Sequence, residues 1–172
     1  EAGDHARFSL AGILKEESRR LSDTVSPMSE IQVRLGDSRD YFFWGVVTAV
    51  DVRIKMSGGR QYQELSLEAM SPTCRLDQGK KCAAFQKREA AYSEVFQTVL
   101  QGCPEAAYLF SDEMQEKKIG RFTVQYEETD WAFLARITSF LHMPLVADHR
   151  TGGTKFTAGM VWKSGTYSVP AG

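Results

Sequence analysis

Long apolar runs are missing from this chain: no stretch approaches the roughly 20 residues of a membrane-crossing helix, and no basic-then-apolar leader stands at its start. The first residue is Glu1 rather than Met, so the start reads as processed or trimmed. An excess of one charge is missing as well. Twenty-one Lys and Arg against 22 Asp and Glu leave a formal charge of -1, and nothing in that total favours a polyanion such as nucleic acid. The basic pairs Arg19-Arg20, Lys80-Lys81 and Lys117-Lys118 are short, separated and read as solvated surface.

Cysteine and histidine are scarce. Cys74, Cys82 and Cys103 are too few and too scattered for a disulfide framework or a tetrahedral metal cage. They read as reduced packing thiols, with a short Cys74 to Cys82 loop closure as the competing reading. His5, His142 and His149 form no H-E-x-x-H arrangement. The Gly-rich phosphate loops and the G-x-S-x-G elbow are lacking too, so neither a metal site nor a cofactor is expected. Asp37, Asp40, Asp51, Glu64 and Glu68 are candidate paired carboxylates, but turns and alternating strands account for them without chemistry. Glu127, Glu128 and Asp130 could bind a cation, although a helix start already stabilises carboxylates.

What is present is a core. The 172 residues, 42% of them hydrophobic, suffice for one domain or two small ones. Ala6, Phe8 and Leu10 alternate as an opening strand, followed by a polar segment from Lys15 to Asp23 compatible with helix or loop. Pro27 punctuates, and Ile31, Val33 and Leu35 share one side of a second strand ending near Gly36-Asp37. Tyr41 to Met56 is the richest strand-forming stretch and is long enough to bend or split. Gly45 within it marks a bulge or a close backbone approach. Gly58-Gly59 turns the chain into Tyr62 to Met70, the clearest hairpin in the sequence.

Two helices follow from apolar stripes. Arg88 to Gln101 carries Tyr92, Val95, Phe96 and Val99 and closes at Gly102 and Pro104. Asp130 to His142 carries Trp131, Leu134, Ile137 and Leu141, starts from a Thr129 N-cap and stops at Pro144. His142 is placed to interact with the carbonyls at that helix end. Between the helices, Tyr108 to Phe110 reads as a short strand and Asp112 to Lys118 as a charged connector. Arg121 to Tyr126 reads as a strand with Phe122, Val124 and Tyr126 on its core face. A final hairpin has Lys155 to Val161 as one arm. The fold class expected is α+β and β-dominated, with a barrel-like antiparallel sheet packed by the Arg88 to Gln101 helix.

The run from Gly120 to Ile137 carries a family pattern: Arg121, Val124-Gln125-Tyr126, Glu127-Glu128, Thr129-Asp130, Phe133-Leu134 and Arg136. It closely resembles the strand-to-helix stretch of contractile-tail hub proteins, namely phage late control protein D, the baseplate hub, and the N-terminal part of the type VI secretion spike protein VgrG. Further elements stand in that family's order. They are His5-Ala6-Arg7-Phe8, then Phe43 to Val50, Ala69 to Pro72, Leu76-Asp77 and Phe85-Gln86.

The resemblance implies a tube-like hub fold and a structural baseplate hub or spike-base component, not an enzyme, joining tube to spike in a phage tail, prophage tail or related injection machine. It implies a homotrimer when full length, with tail tube, spike and baseplate proteins as partners. It also implies assembly in the bacterial cytoplasm and residence in the virion tail or machine baseplate. A stand-alone protein- or peptide-binding adaptor is the alternative. The division expected is a barrel-like domain over 1–118 and the incomplete start of a second α/β domain over 119–172, since the chain stops before a second barrel. Tyr41, Phe42, Phe43 and Trp44 are the candidate interface residues, because aromatics beside an unclosed sheet edge make strong anchors.

Overall fold

A computed structural model describes residues 3–14 and 25–160. The polar segment from Lys15 to Asp23 and Val161 at the end of the final arm lie outside the described residues.

The first unit is an antiparallel sheet of β1 (Arg7–Leu14), β2 (Glu30–Val33), β3 (Phe43–Ser57) and β4 (Arg60–Met70), in the order β1-β4-β3-β2. The Gly58-Gly59 turn joins β3 to β4, both glycines at positive φ, and the register holds from Ser57↔Arg60 back to Ala49↔Glu68, then shifts by one residue before Val47↔Ala69 and Val46↔Met70. The sheet curls into a half-barrel, in keeping with the expected β-dominated α+β class. Its core is small: Phe43, Val47, Leu67 and Ala69, with Phe8, Val25, Ile31, Val33 and Val50 packed alongside.

Gly45 marks a close approach. A Cβ there would stand 2.5 Å from the Met70 carbonyl oxygen and 2.3 Å from the Phe43 ring. The bulge falls instead at Thr48, which is extra between the pairs Val47↔Ala69 and Ala49↔Glu68.

The second unit has the larger core, drawn from Leu76 to Ala158. Helix α1 (Tyr92–Val99) buries the expected stripe of Tyr92, Val95, Phe96 and Val99. It starts later than the stripe suggests because Ala91 is held in a bridge to Lys118, while the Glu94 carboxylate accepts the Ala91 N–H at 3.3 Å. Its stripe enters this second core rather than that of the four-stranded sheet, a correction to the expected packing. The aromatic partners are β6 (Ala107–Phe110) and β9 (Lys155–Ala158), whose Tyr108, Phe110 and Phe156 rings surround Phe96 at centroid distances of 5.4, 4.9 and 6.2 Å.

Strand β9 is central in its sheet, pairing parallel with β6 and antiparallel with β8 (Leu145–Ala147). The charged connector contains a short helix, α2 (Asp112–Gln115), pinned by the fully buried Met114. Helix α3 (Asp130–Ser139) follows β7 (Thr123–Glu128), and the Thr129 hydroxyl accepts the Ala132 N–H at 3.2 Å as its N-cap. At its other end His142 sits at φ 55 and closes the helix through its backbone, its N–H donating to the Ser139 carbonyl at 2.9 Å.

Strand β7 pairs with β5 (Lys81–Phe85) in a two-stranded ribbon and is turned opposite to its expected facing. Thr123 and Gln125 are buried, whereas Phe122 and Tyr126 are 55% and 72% exposed. The reason is polar. The Gln125 amide donates to the Glu128 carbonyl at 3.2 Å and to Asp130 Oδ1 at 3.1 Å, tying the strand end to the helix start from the inside. A bulge sets Tyr126 and Glu127 against the single residue Cys82, with Glu127 at φ 50, and carries Tyr126 outward.

Candidate assembly surface

The four aromatic residues singled out in the sequence divide sharply. Phe43 is 3% exposed and stacks on Phe8 at 5.1 Å, so its ring is committed inside the subunit. Trp44 is half-buried: its N–H donates to the His149 carbonyl at 2.6 Å, and its ring lies so close to Gly152 that a Cβ there would meet it at 2.8 Å. Its indole Nε1 finds no acceptor among the described residues. Tyr41 stands edge-on to Trp44 at 4.8 Å, with the Arg34 guanidinium 4.4 Å over its ring and donating to its hydroxyl. Phe42 alone projects freely, 48% exposed, while its N–H pairs with the Val33 carbonyl at 2.8 Å.

A larger open surface adjoins them. Because β2 is only four residues long, β3 outruns it, and the β3–β4 hairpin extends beyond the small core. Past the bulge Val50, Val52, Ile54 and Met56 share the face of Leu65 and Leu67, by alternation and register. Leu67 is buried, yet Ile54 is 63% and Met56 68% exposed. Leu10 of β1, paired with Leu67 on the same face, is also exposed. Sequence reasoning named the sheet edges but missed these residues. The signal was present, since apolar alternation in the hairpin continues beyond the length that a core this small covers.

The opposite face is polar. Lys55 meets Glu64 at 2.6 Å and Arg53 meets Asp51 at 2.6 Å, exposed pairs of small energetic worth. The Glu64 carboxylate, by hydrogen bond and charge, raises the Lys55 pKa. Asp51, Arg53 and Glu64 line a shallow depression of about 220 Å³ with Ala11 and Ser66. The candidate carboxylates Asp51 and Glu64 are thereby occupied by cations.

One arrangement imitates a catalytic relay. Thr73 Oγ1 lies 2.8 Å from His5 Nδ1, and His5 Nε2 lies 2.7 Å from Asp77 Oδ2. A nucleophile must reach a substrate, however, and Thr73 and its hydrogen-bonded neighbour Ser71 are both fully buried. The arrangement is a clasp: Asp77 also accepts the Thr129 hydroxyl at 2.5 Å, and His5 packs on Trp131 at 4.8 Å. It joins the start of β1 to the cap of α3.

Two of the acidic residues after Tyr126, Glu128 and Asp130, are engaged similarly. Arg136 grips Glu128 through two hydrogen bonds of 2.8 Å, and Lys81 meets Asp130 at 2.5 Å. Among the described residues no group of three His, Cys, Asp or Glu is placed to hold a metal ion, and Cys74, Cys82 and Cys103 are free. No helix there is long and apolar enough to cross a membrane.

What the geometry offers is surface for assembly, with a half-barrel left open. The fold is that of tail proteins. The E. coli c3393 protein, a component of the type VI secretion system with structural similarity to the T4 tail proteins gp27 and gp5, superposes with a TM-score of 0.60 at 13% identity over 90% of this chain and 42% of its own. The 43 kDa tail protein of prophage MuSo2 from Shewanella oneidensis superposes with a TM-score of 0.62 at 14% identity, over 91% of this chain and 45% of its own. The chain thus spans less than half the length of either structure. No curated protein matches it in sequence. The family model of the phage tail baseplate hub (GPD) matches residues 6–150, and the chain belongs to that family.

Proposed function

We propose that this protein is a structural hub or spike-base component of a phage tail or related contractile injection machine, acting without catalytic turnover. The observation that carries the reading is the half-barrel sheet, whose apolar hairpin face continues past its own core in a chain matched by the hub family over residues 6–150. Exposed Ile54 and Met56 and open strand edges require a neighbour to bury them. In the intact protein those neighbours are other copies of the chain, arranged as a trimer, together with tail tube, spike and baseplate proteins. A second barrel-like domain in each subunit would complete the ring. Assembly takes place in the bacterial cytoplasm, and the finished part resides in the tail or baseplate.

Phe42 and Trp44 sit at the rim of this surface. Replacing each by Ala in the intact protein, with oligomer mass and thermal unfolding measured together, tests the reading. Phe42→Ala is expected to weaken assembly with little change in unfolding temperature, because its ring is half exposed in the isolated subunit. Trp44→Ala is expected to affect both. Unchanged assembly in both variants would place the subunit contacts on another face.

A further inference from the structure

Where β6 ends and α3 closes, a cavity of about 610 Å³ opens to solvent, apart from the half-barrel sheet. Phe110, Met143 and the exposed Met160 give it apolar walls. Asp112 and Glu113, both exposed in the first turn of α2, line it as well. Neither carboxylate forms an ion pair among the described residues, and no lysine or arginine among them lines the cavity. His142 is the one other ionisable side chain there.

Two further features point to a positively charged occupant. His142 and Met143 belong to the turn that closes α3, their N–H groups donating to the Ser139 and Thr138 carbonyls at 2.9 and 3.2 Å, and a helix end of this kind carries partial negative charge. Ser111, which lines the same cavity, is 7% exposed, and its hydroxyl has no partner among the described residues. Gly159, at φ 91, keeps room for that hydroxyl, since a Cβ there would collide with its oxygen. Buried polar groups ordinarily find a partner.

We propose that this cavity receives a lysine side chain of a partner protein, presented between apolar residues. An ammonium group carries three donors, enough for the Ser111 hydroxyl and the carboxylates of Asp112 and Glu113 together. Its four-carbon stem packs along Phe110 and the adaptable thioether of Met143. Exposed Met160 seats the apolar residues beside the lysine, which a free polyamine lacks.

The test is fluorescence anisotropy with the intact protein and a labelled peptide of sequence Ser-Ala-Leu-Lys-Leu-Ala-Ser, against the same peptide with Gln for Lys. The lysine peptide is expected to bind about tenfold or more tightly, a difference that salt reduces. Asp112→Asn combined with Glu113→Gln is expected to abolish that preference, and Ser111→Ala to reduce it about threefold or more. Asp37→Asn combined with Asp40→Asn removes the same charge outside the cavity and is expected to change nothing. Thermal unfolding checks each variant, and if Ser111→Ala fails to fold, the carboxylate variants still decide. Equal binding of the two peptides overturns the proposal, as does a lysine preference that survives loss of both carboxylates or is undiminished in folded Ser111→Ala. So does binding of spermidine without binding of the lysine peptide. Peptide affinity that rises on Lys163→Ala would also overturn it, by assigning the cavity to a lysine of this chain.

Discussion

His5 Nε2 and Asp77 Oδ2 stand 2.7 Å apart, linking the residues just before β1 to the 3₁₀ turn Pro72–Asp77 that follows β4. The same turn reaches α3 through Thr129, so this contact helps fasten the half-barrel to the helical unit. His5→Ala removes the partner of Thr73 and of Asp77 together with the packing on Trp131. A loss of about 1–3 kcal/mol is expected in urea unfolding, the range for leaving buried polar groups short of a partner. A loss below about 0.5 kcal/mol would show that the clasp is incidental.

Gly45→Ala is expected to be far more damaging than Gly12→Ala. At Gly45 the added carbon collides with the Met70 backbone carbonyl, which cannot swing aside, whereas at Gly12 nothing lies within 4 Å. Overpacking of this kind costs about 1–3 kcal/mol, while the Gly12 variant should lie within about 0.5 kcal/mol of the parent. Chemical denaturation of the two variants side by side checks the contrast.

The thiols should differ in reactivity. Burial, helped by the Glu105 carboxylate that accepts from Cys103 Sγ at 3.2 Å, pushes the Cys103 pKa up to about 11. Cys82 is exposed. Iodoacetamide at neutral pH should therefore label Cys82 first and Cys103 only on unfolding, with mass spectrometry as the readout. The unfolded thiol loses its proton near about 8.5, while the folded one holds it to about 11. The stabilisation from Cys103 is thus complete below the first value and declines as pH rises toward the second.

Much of this architecture is legible in the sequence, and the reasons are local. Alternation from Val46 to Met56 and from Tyr62 to Met70, with Gly58-Gly59 between, specifies a hairpin. Thr129 ahead of Trp131, Leu134 and Ile137 specifies a capped helix. The facing of β7 was misread because periodicity gives two faces and does not say which is inside. There the inside is taken by Gln125, whose amide satisfies Asp130 and the Glu128 carbonyl. The parallel pairing of β6 with β9 joins Ala107 to Lys155, a separation that no local pattern encodes.

Of the candidate surface, the aromatic cluster was legible but its division was not. Phe42 points out and Phe43 in, and the Thr48 bulge then resets the alternation for Ile54 and Met56.

The central claim is that the open half-barrel closes by assembly with copies of itself. Negative-stain electron microscopy of the intact, purified protein, with mass measured by light scattering, tests this most directly. A ring about a threefold axis with the mass of a trimer is the predicted result; a monodisperse monomer across a wide concentration range would contradict it.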